Sequence, residues 1–245
     1  MESQRLPRRN GGTAMHFLNR VDAGRRLAKK LGAYARRNDV LVLGIPRGGV
    51  PVAFQVADEL EAPLDVFVVR KLGVPGHEEL AFGAIASGGI RAVDPQIVEE
   101  AGISDLEFEL VVVNESQELE RRERLYRGAR PPLNLQGKTI ILVDDGIATG
   151  ASTRAAILAL RKLKPASIVL AAPIAPASTC RHLRAEVDDL ICLDIHENFY
   201  AIGQFYDDFS QVSDEEVATL LQRNSEQRAH KVDPRNGSIR KGVHS

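Results

Sequence analysis

Between about Phe17 and Leu221 the chain alternates short unbroken apolar runs with stretches of helical period. Val21, Gly24, Leu27, Ala28, Leu31 and Tyr34 recur at three- and four-residue spacing, which predicts an amphipathic helix with its basic residues turned outward. Val40 to Ile45 is apolar at every position and ends in Pro46-Arg47-Gly48-Gly49. A run without polar alternation predicts a strand buried on both faces, as in a parallel sheet covered by helices. Pro51 stands where a helix begins, and Val52, Val56, Ala57 and Leu60 give that helix one apolar side. Leu64 to Val69 predicts a second strand, so the segment reads as one βαβ unit.

Residues 71–80, KLGVPGHEEL, lack a period and are punctuated by Gly and Pro, which predicts a loop. Phe82 to Ala86 and Ile90 to Val93 flank Ser87-Gly88-Gly89 and predict a hairpin. Ser104-x-x-Glu107 is a capping box opening a long charged helix to about Arg127, stopped before Pro131-Pro132. Thr139 to Val143 is a third fully apolar strand, followed by a helix over Ser152 to Leu163. A strand over Ser167 to Pro173, a short helix over Thr179 to Arg184 and a strand over Leu190 to Asp194 continue the alternation. A second capping box, Ser213-x-x-Glu216, starts a last helix. The fold class is α/β, with a mainly parallel central sheet flanked by helices in one domain over residues 15–223. Met15 directly precedes the patterned part, so residues 1–14 are expected to be a disordered extension outside the fold. Residues 224–245 carry five Lys/Arg, two Asp/Glu and little apolar content, and are expected to be a disordered basic tail.

Composition narrows the function classes. Of 245 residues, 44% are hydrophobic and 27% charged, enough apolar sequence for a full core. Lys plus Arg is 32 against 33 Asp plus Glu, so bulk charge favours neither nucleic acid nor membrane as a partner. Cys180 and Cys192 are the only cysteines and lack metal-ligand spacing, which points away from zinc and from a disulfide framework. No run approaches the roughly 20 apolar residues of a membrane span. No apolar segment follows the N-terminal charges, so a cytoplasmic location is expected.

Ligands of open α/β sheets bind beyond the carboxyl ends of the strands, which directs attention to Ile140 to Thr153, IILVDDGIATGAST. An apolar strand delivers adjacent carboxylates, Asp144 and Asp145. A turn containing Gly146, Ala148, Thr149 and Gly150 follows, and Ala151, Ser152 and Thr153 open a helix. The first amides of a helix have no internal acceptors, and small residues let a phosphate approach them. Thr149, Ser152 and Thr153 add hydroxyl donors. A Walker loop would carry Lys where Ala151 stands, so nucleoside triphosphate hydrolysis is disfavoured. Two carboxylates beside a phosphate suit ribose hydroxyls and a magnesium counter-charge, bound directly or through water.

This strand, acid pair, Gly-x-x-Thr-Gly turn and Ser/Thr pair resembles the phosphoribosyl-pyrophosphate (PRPP) motif of the type I phosphoribosyltransferases. The resemblance covers about Asp39 to Asp194 and implies their Rossmann-like fold with a small hood. It assigns the ribose hydroxyls and Mg²⁺ to Asp144 and Asp145, and the 5′-phosphate to Ala148 to Thr153. Gly44 to Gly49 looks like the family's pyrophosphate loop, with Arg47, Gly48 and Gly49 gripping the leaving group; by itself it also reads as a plain βα turn with a surface Arg. The family carries a flexible loop after the second strand, which would bring Arg70 and Lys71 to pyrophosphate; a solvated edge pair is the other reading of these two residues. His77, Glu78 and Glu79 lie in that loop and read either as exposed polar positions or as aids to proton movement on closure.

Beyond the last strand, His196, Phe199 and Tyr200 fall where the family's hood receives the acceptor, although Phe199, Phe205, Tyr206 and Phe209 equally suit pinning the C-terminal segment to the core. The resemblance therefore implies an Mg²⁺-dependent pentosyltransferase that moves 5-phosphoribosyl from PRPP to a small nitrogenous acceptor, such as a nucleobase, with release of pyrophosphate. Asp144, Asp145, Arg47 and Lys71 would carry catalysis. The long helix from about 105 to 127 departs from the compact family pattern, and a homodimer contact or a solvated face are its two readings. A different function class, a catalytically silent PRPP- or nucleotide-binding regulator, would keep the pocket and lack turnover.

Overall fold

A computed structural model of the chain describes residues 15–128, 130–197 and 199–232. In chain order the elements are α1 (Arg20–Lys30), β1 (Val40–Gly44), α2 (Gly49–Glu59), β2 (Leu64–Val66), β3 (Val69–Val74), β4 (His77–Ala86), β5 (Ile90–Val93), α3 (Pro95–Glu100), α4 (Asp105–Arg127), β6 (Thr139–Val143), α5 (Ala151–Lys162), β7 (Ser167–Pro176), α6 (Ala177–Arg184), β8 (Asp189–His196) and α7 (Asp214–Val232).

Five strands form one parallel sheet in the order β2-β1-β6-β7-β8. Within its unbroken apolar runs, successive side chains go to opposite faces, as strand geometry requires. Val40, Val42, Ile141 and Val143 join one core with Leu27 of α1 and Val52, Val56 and Ala57 of α2. Leu41, Leu43, Ile140 and Leu142 join the other with Ala156, Ile157 and Leu160 of α5 and Leu183 of α6. Burying a side chain of this size contributes about 1.5–3 kcal/mol, so both helical layers are held to the sheet by hydrophobic burial.

Strand order reverses between β1 and β6, since the chain grows outward from β1 to β2 and then from β6 to β7 and β8. The register pairs Gly44 with Val143, so both strands end level and their following turns emerge side by side. An open α/β sheet forms its ligand crevice at such a reversal.

The sequence reading of residues 64–80 is corrected here. β2 stops at Val66, where the chain leaves the parallel sheet, and β3, β4 and β5 form a separate antiparallel sheet. The expected loop over 71–80 is thus largely strand: Lys71 pairs with Ala84 and Val74 with His77, around a turn at Pro75-Gly76. The Pro-Gly signal marked the turn of a hairpin rather than a long irregular segment. This small sheet rests against α4 and α5, and the Lys162 ammonium at the end of α5 donates to the Arg91 carbonyl of β5.

The expected disordered tail also needs correction, because α7 continues through Val232. Asn224 is buried on it; its amide oxygen accepts from Leu64 N–H at 2.9 Å and its amide nitrogen donates to the Ala62 carbonyl at 3.4 Å. The expectations for 1–14 and 233–245 lie outside the described residues. Among the described residues no helix is long and apolar enough to cross a membrane.

A third, smaller cluster stands beyond the strand ends. Phe17, Ala23, Ile174, Phe205 and Tyr206 are buried together, with Phe199, Ile202 and Phe209 against them. Phe17 N–H donates to the Phe205 carbonyl and Asp207 N–H to the Phe17 carbonyl, both at 2.9 Å. The N-terminal residues and the segment after β8 thus form one cap, in the place expected of a hood.

Candidate active site

The turn after β1 lies directly on the acid pair that ends β6. A Cβ on Gly48 would stand 2.0 Å from Asp145 Oδ2, and one on Gly49 would stand 2.7 Å from the Val143 carbonyl oxygen. Only glycine allows this approach. The peptide between Pro46 and Arg47 is cis. Gly49 N–H donates to the Ile45 carbonyl at 3.1 Å, turning the chain straight into α2.

The second turn is held from below and left open above. Ile147 N–H donates to the Ile174 carbonyl at 2.9 Å, and the Thr179 hydroxyl of α6 donates to the Ala148 carbonyl at 2.9 Å. Gly150 has φ of 79°, a left-handed conformation suited to glycine, and admits α5 immediately afterwards. Ala148, Thr149, Ala151 and Ser152 are exposed. The first amides of α5 lack intrahelical acceptors and carry the positive end of the helix dipole, so this surface favours an anion. No side chain between Gly146 and Thr153 is titratable.

The two acids are not equivalent. Asp145 is buried and accepts from Arg20 Nε through Oδ2 at 2.8 Å; the two side chains are only 10% and 11% exposed. Arg20 also donates to the Ser210 carbonyl at 2.7 Å and lies 3.9 Å over the Phe209 ring. The Tyr206 hydroxyl donates to the Asp145 carbonyl at 2.6 Å. Asp144 is partly exposed, and its Oδ1 accepts from Asp145 N–H at 2.9 Å. Burial, then the charge of Asp145, pushes the Asp144 carboxyl well above the ordinary range. Burial also raises Asp145, opposed by Arg20.

Of the residues expected at the site, Asp144, Asp145 and Gly146 to Thr153 form this turn, with Gly48 and Gly49 against it. Arg47 leaves the same loop and lies 3.8 Å from Asp214, at the start of α7, which also accepts from the Tyr126 hydroxyl at 2.5 Å. Its side chain is 37% exposed. Arg70 is held elsewhere: its Nε donates to Glu115 of α4 at 2.6 Å. Lys71 sits partly buried in the hairpin. His196 bonds to Asp194 at 2.8 Å and lies against Phe205, with ring centroids 4.7 Å apart. Phe199 stacks on the same ring at 5.4 Å, and Tyr200 is almost fully exposed. Arg20 and Asp214 gave no sequence signal, because their contacts span distant parts of the chain, and Tyr206 was legible only as a residue pinning the C-terminal segment.

Comparison with known proteins bears on this geometry. The family profile described as phosphoribosyl transferase domain matches residues 16–210. Two Mycobacterium tuberculosis proteins, from strains CDC 1551 and H37Rv, are each 44% identical over 207 residues and are provisionally named phosphoribosyl transferases. The matched region is 84% of this chain and 46% of each relative, so the chain spans about half the length of these curated relatives. The crystal structure of TT1426 from Thermus thermophilus superposes with a TM-score of 0.77 at 37% identity, covering 85% of this chain and 99% of that one.

Proposed function

This chain belongs to the phosphoribosyltransferase family, and from that premise we propose that it transfers the 5-phosphoribosyl group of PRPP to a small nitrogenous acceptor, releasing pyrophosphate. The observation that carries the reading is the open N-terminus of α5 beneath a pair of adjacent carboxylates, at the point where strand order reverses. The exposed amides and hydroxyls from Ala148 to Ser152 suit the 5′-phosphate, with Thr153 behind them in the first turn. The carboxylates suit the ribose hydroxyls, which donate hydrogen bonds.

The donor set fits Mg²⁺ as an ion carried largely by the substrate. Asp144 and Asp145 offer hard oxygen atoms, and among the described residues no cluster of three or more acidic, His or Cys side chains forms a cage. Mg²⁺ is commonly held by one or two carboxylates together with phosphates and water. When bound, the ion would supply counter-charge to the departing pyrophosphate.

The chain's own contributions are positioning and electrostatics. As the C1–O bond of PRPP weakens, the ribose ring gains positive charge, which the acid pair stabilises. Arg47, partly exposed and 3.8 Å from Asp214, would reach the pyrophosphate oxygens with its guanidinium fork. The cap formed by residues 199–210 and Phe17 would supply the surface against which an acceptor is held. His196, Phe199 and Tyr200 are its candidate contacts.

The experiment is a panel of nitrogenous acceptors with PRPP and Mg²⁺, read out as pyrophosphate release, beside calorimetry with PRPP alone. Asp144→Asn combined with Asp145→Asn is expected to abolish release. Full activity in that double variant would refute the assignment. Tight PRPP binding without turnover on any acceptor would instead identify a sensor.

A further inference from the structure

We propose that Arg20 is a positioning residue of this site: it fixes Asp145 and the covering segment in place, and through Asp145 it sets the acid pair presented to the sugar. This deepens the phosphoribosyl reading above and rests on it.

Arg20 uses three separate surfaces of its guanidinium at once. Nε bonds to Asp145, Nη1 bonds to the Ser210 carbonyl, and the flat face lies on Phe209. It therefore joins the start of α1, the end of β6 and the segment after β8 at a single point. A planar fork with a stacking face can make all three contacts, while an ammonium cannot. The anchor is itself well placed. Arg20 is the first residue of α1, whose cap is secured by Asn19 accepting from Asp22 N–H at 3.0 Å, and Phe17 is bonded to the covering segment just before it.

The consequence falls on the acid pair. Asp145 is aimed into Arg20 and against Gly48, with its own carbonyl taken by Tyr206. One of its carboxylate oxygens, Oδ2, is thus held by the protein. Asp144 is the less buried member, and its orientation depends on Asp145 because its Oδ1 accepts from the Asp145 amide. Arg20 thus acts on the ligand through Asp145, without needing to touch it.

The test compares wild type with Arg20→Gln, Arg20→Lys, Asp145→Asn and the Arg20→Gln/Asp145→Asn double variant, measuring PRPP binding in Mg²⁺ and steady-state kinetics. Arg20→Gln is expected to raise KM for PRPP by about ten- to a hundredfold, with kcat changed less than about threefold. Arg20→Lys should recover part of that loss. The double variant should lose less than the sum of Arg20→Gln and Asp145→Asn, because the two residues act as one unit. Phe209→Leu keeps both charges and loosens only the covering segment; it should raise KM in the same direction by less, and it serves if Arg20→Gln does not fold. An unchanged KM in a folded Arg20→Gln or in Phe209→Leu, or additive losses in the double variant, would overturn the proposal. Failure of the wild-type chain to bind PRPP would overturn the phosphoribosyl reading and this one with it, whereas binding by wild type with an indifferent Arg20→Gln overturns this one alone.

Discussion

Gly48→Ala tests the close approach of the two turns. Gly48 has φ of −58° and ψ of −33°, which alanine adopts freely, so the substitution introduces no backbone strain. Its effect is steric: the new methyl would lie 2.0 Å from Asp145 Oδ2 and 2.6 Å from Cγ, well inside ordinary contact at 3.4–4 Å. The carboxylate must move, and its 2.8 Å bond to Arg20 is what it moves from. Overpacking alone costs about 1–3 kcal/mol, and complete loss of a buried ion pair about 3–5 kcal/mol, so we expect about 2–4 kcal/mol. At about 2–4 °C per kcal/mol for a chain of this size, the unfolding midpoint should fall by about 4–16 °C. Thermal or denaturant unfolding measures this directly. In an Asp145→Ala background the obstruction is gone, and the same methyl should cost less than about 1 kcal/mol. An unchanged midpoint, or an equal loss in both backgrounds, would refute the steric argument.

Other perturbations probe different parts of the molecule. Gly150→Ala forces a left-handed φ on alanine and places its methyl 2.7 Å from Thr179 Cγ2; stability should fall by about 1–3 kcal/mol, and PRPP binding should weaken with it, as calorimetry would show. Arg127→Ala strands Asp65, since that pair is only 10% and 12% exposed; chemical denaturation should show a loss of about 3–5 kcal/mol, exceeding that of Arg127→Ala/Asp65→Asn. Hydrogen bonds from Arg37 and Thr139 hold Asp39 down to about 2, below its ordinary 3.8. Its contribution is complete above the unfolded pKa and is lost as pH falls through the folded one, so Asp39→Asn should flatten the stability profile between about pH 4 and 2.

What could be read along the chain depended on how locally each feature is specified. β6 is Thr139 followed by an unbroken apolar run to Val143, and it forms with those bounds. The Ser104–Glu107 box is reciprocal within four residues and opens α4 as expected. The antiparallel hairpin was obscured because Gly73, Pro75 and Gly76 interrupt its alternation, with register shifts at Gly73. α3 is six residues long, started by Asp94 and Pro95, and too short to show a period. The end of α7 was missed because Asn224 is polar in the sequence and buried in the fold, where its partners lie about 160 residues away. The same distinction divides the site. The acid pair and the proposed phosphate turn occupy one continuous segment, so they can be read together along the chain. The bond from Arg20 to Asp145 joins residues 125 positions apart, and neither end announces the other.

One helix ties the crevice to the accessory sheet. α5 starts at the proposed phosphate cradle and ends where Lys162 grips β5. Twelve residues at helical rise make a stiff rod about 18 Å long. Its leading amides stand at the crevice while its last turn touches the outlying sheet, so a single rigid element is shared by both.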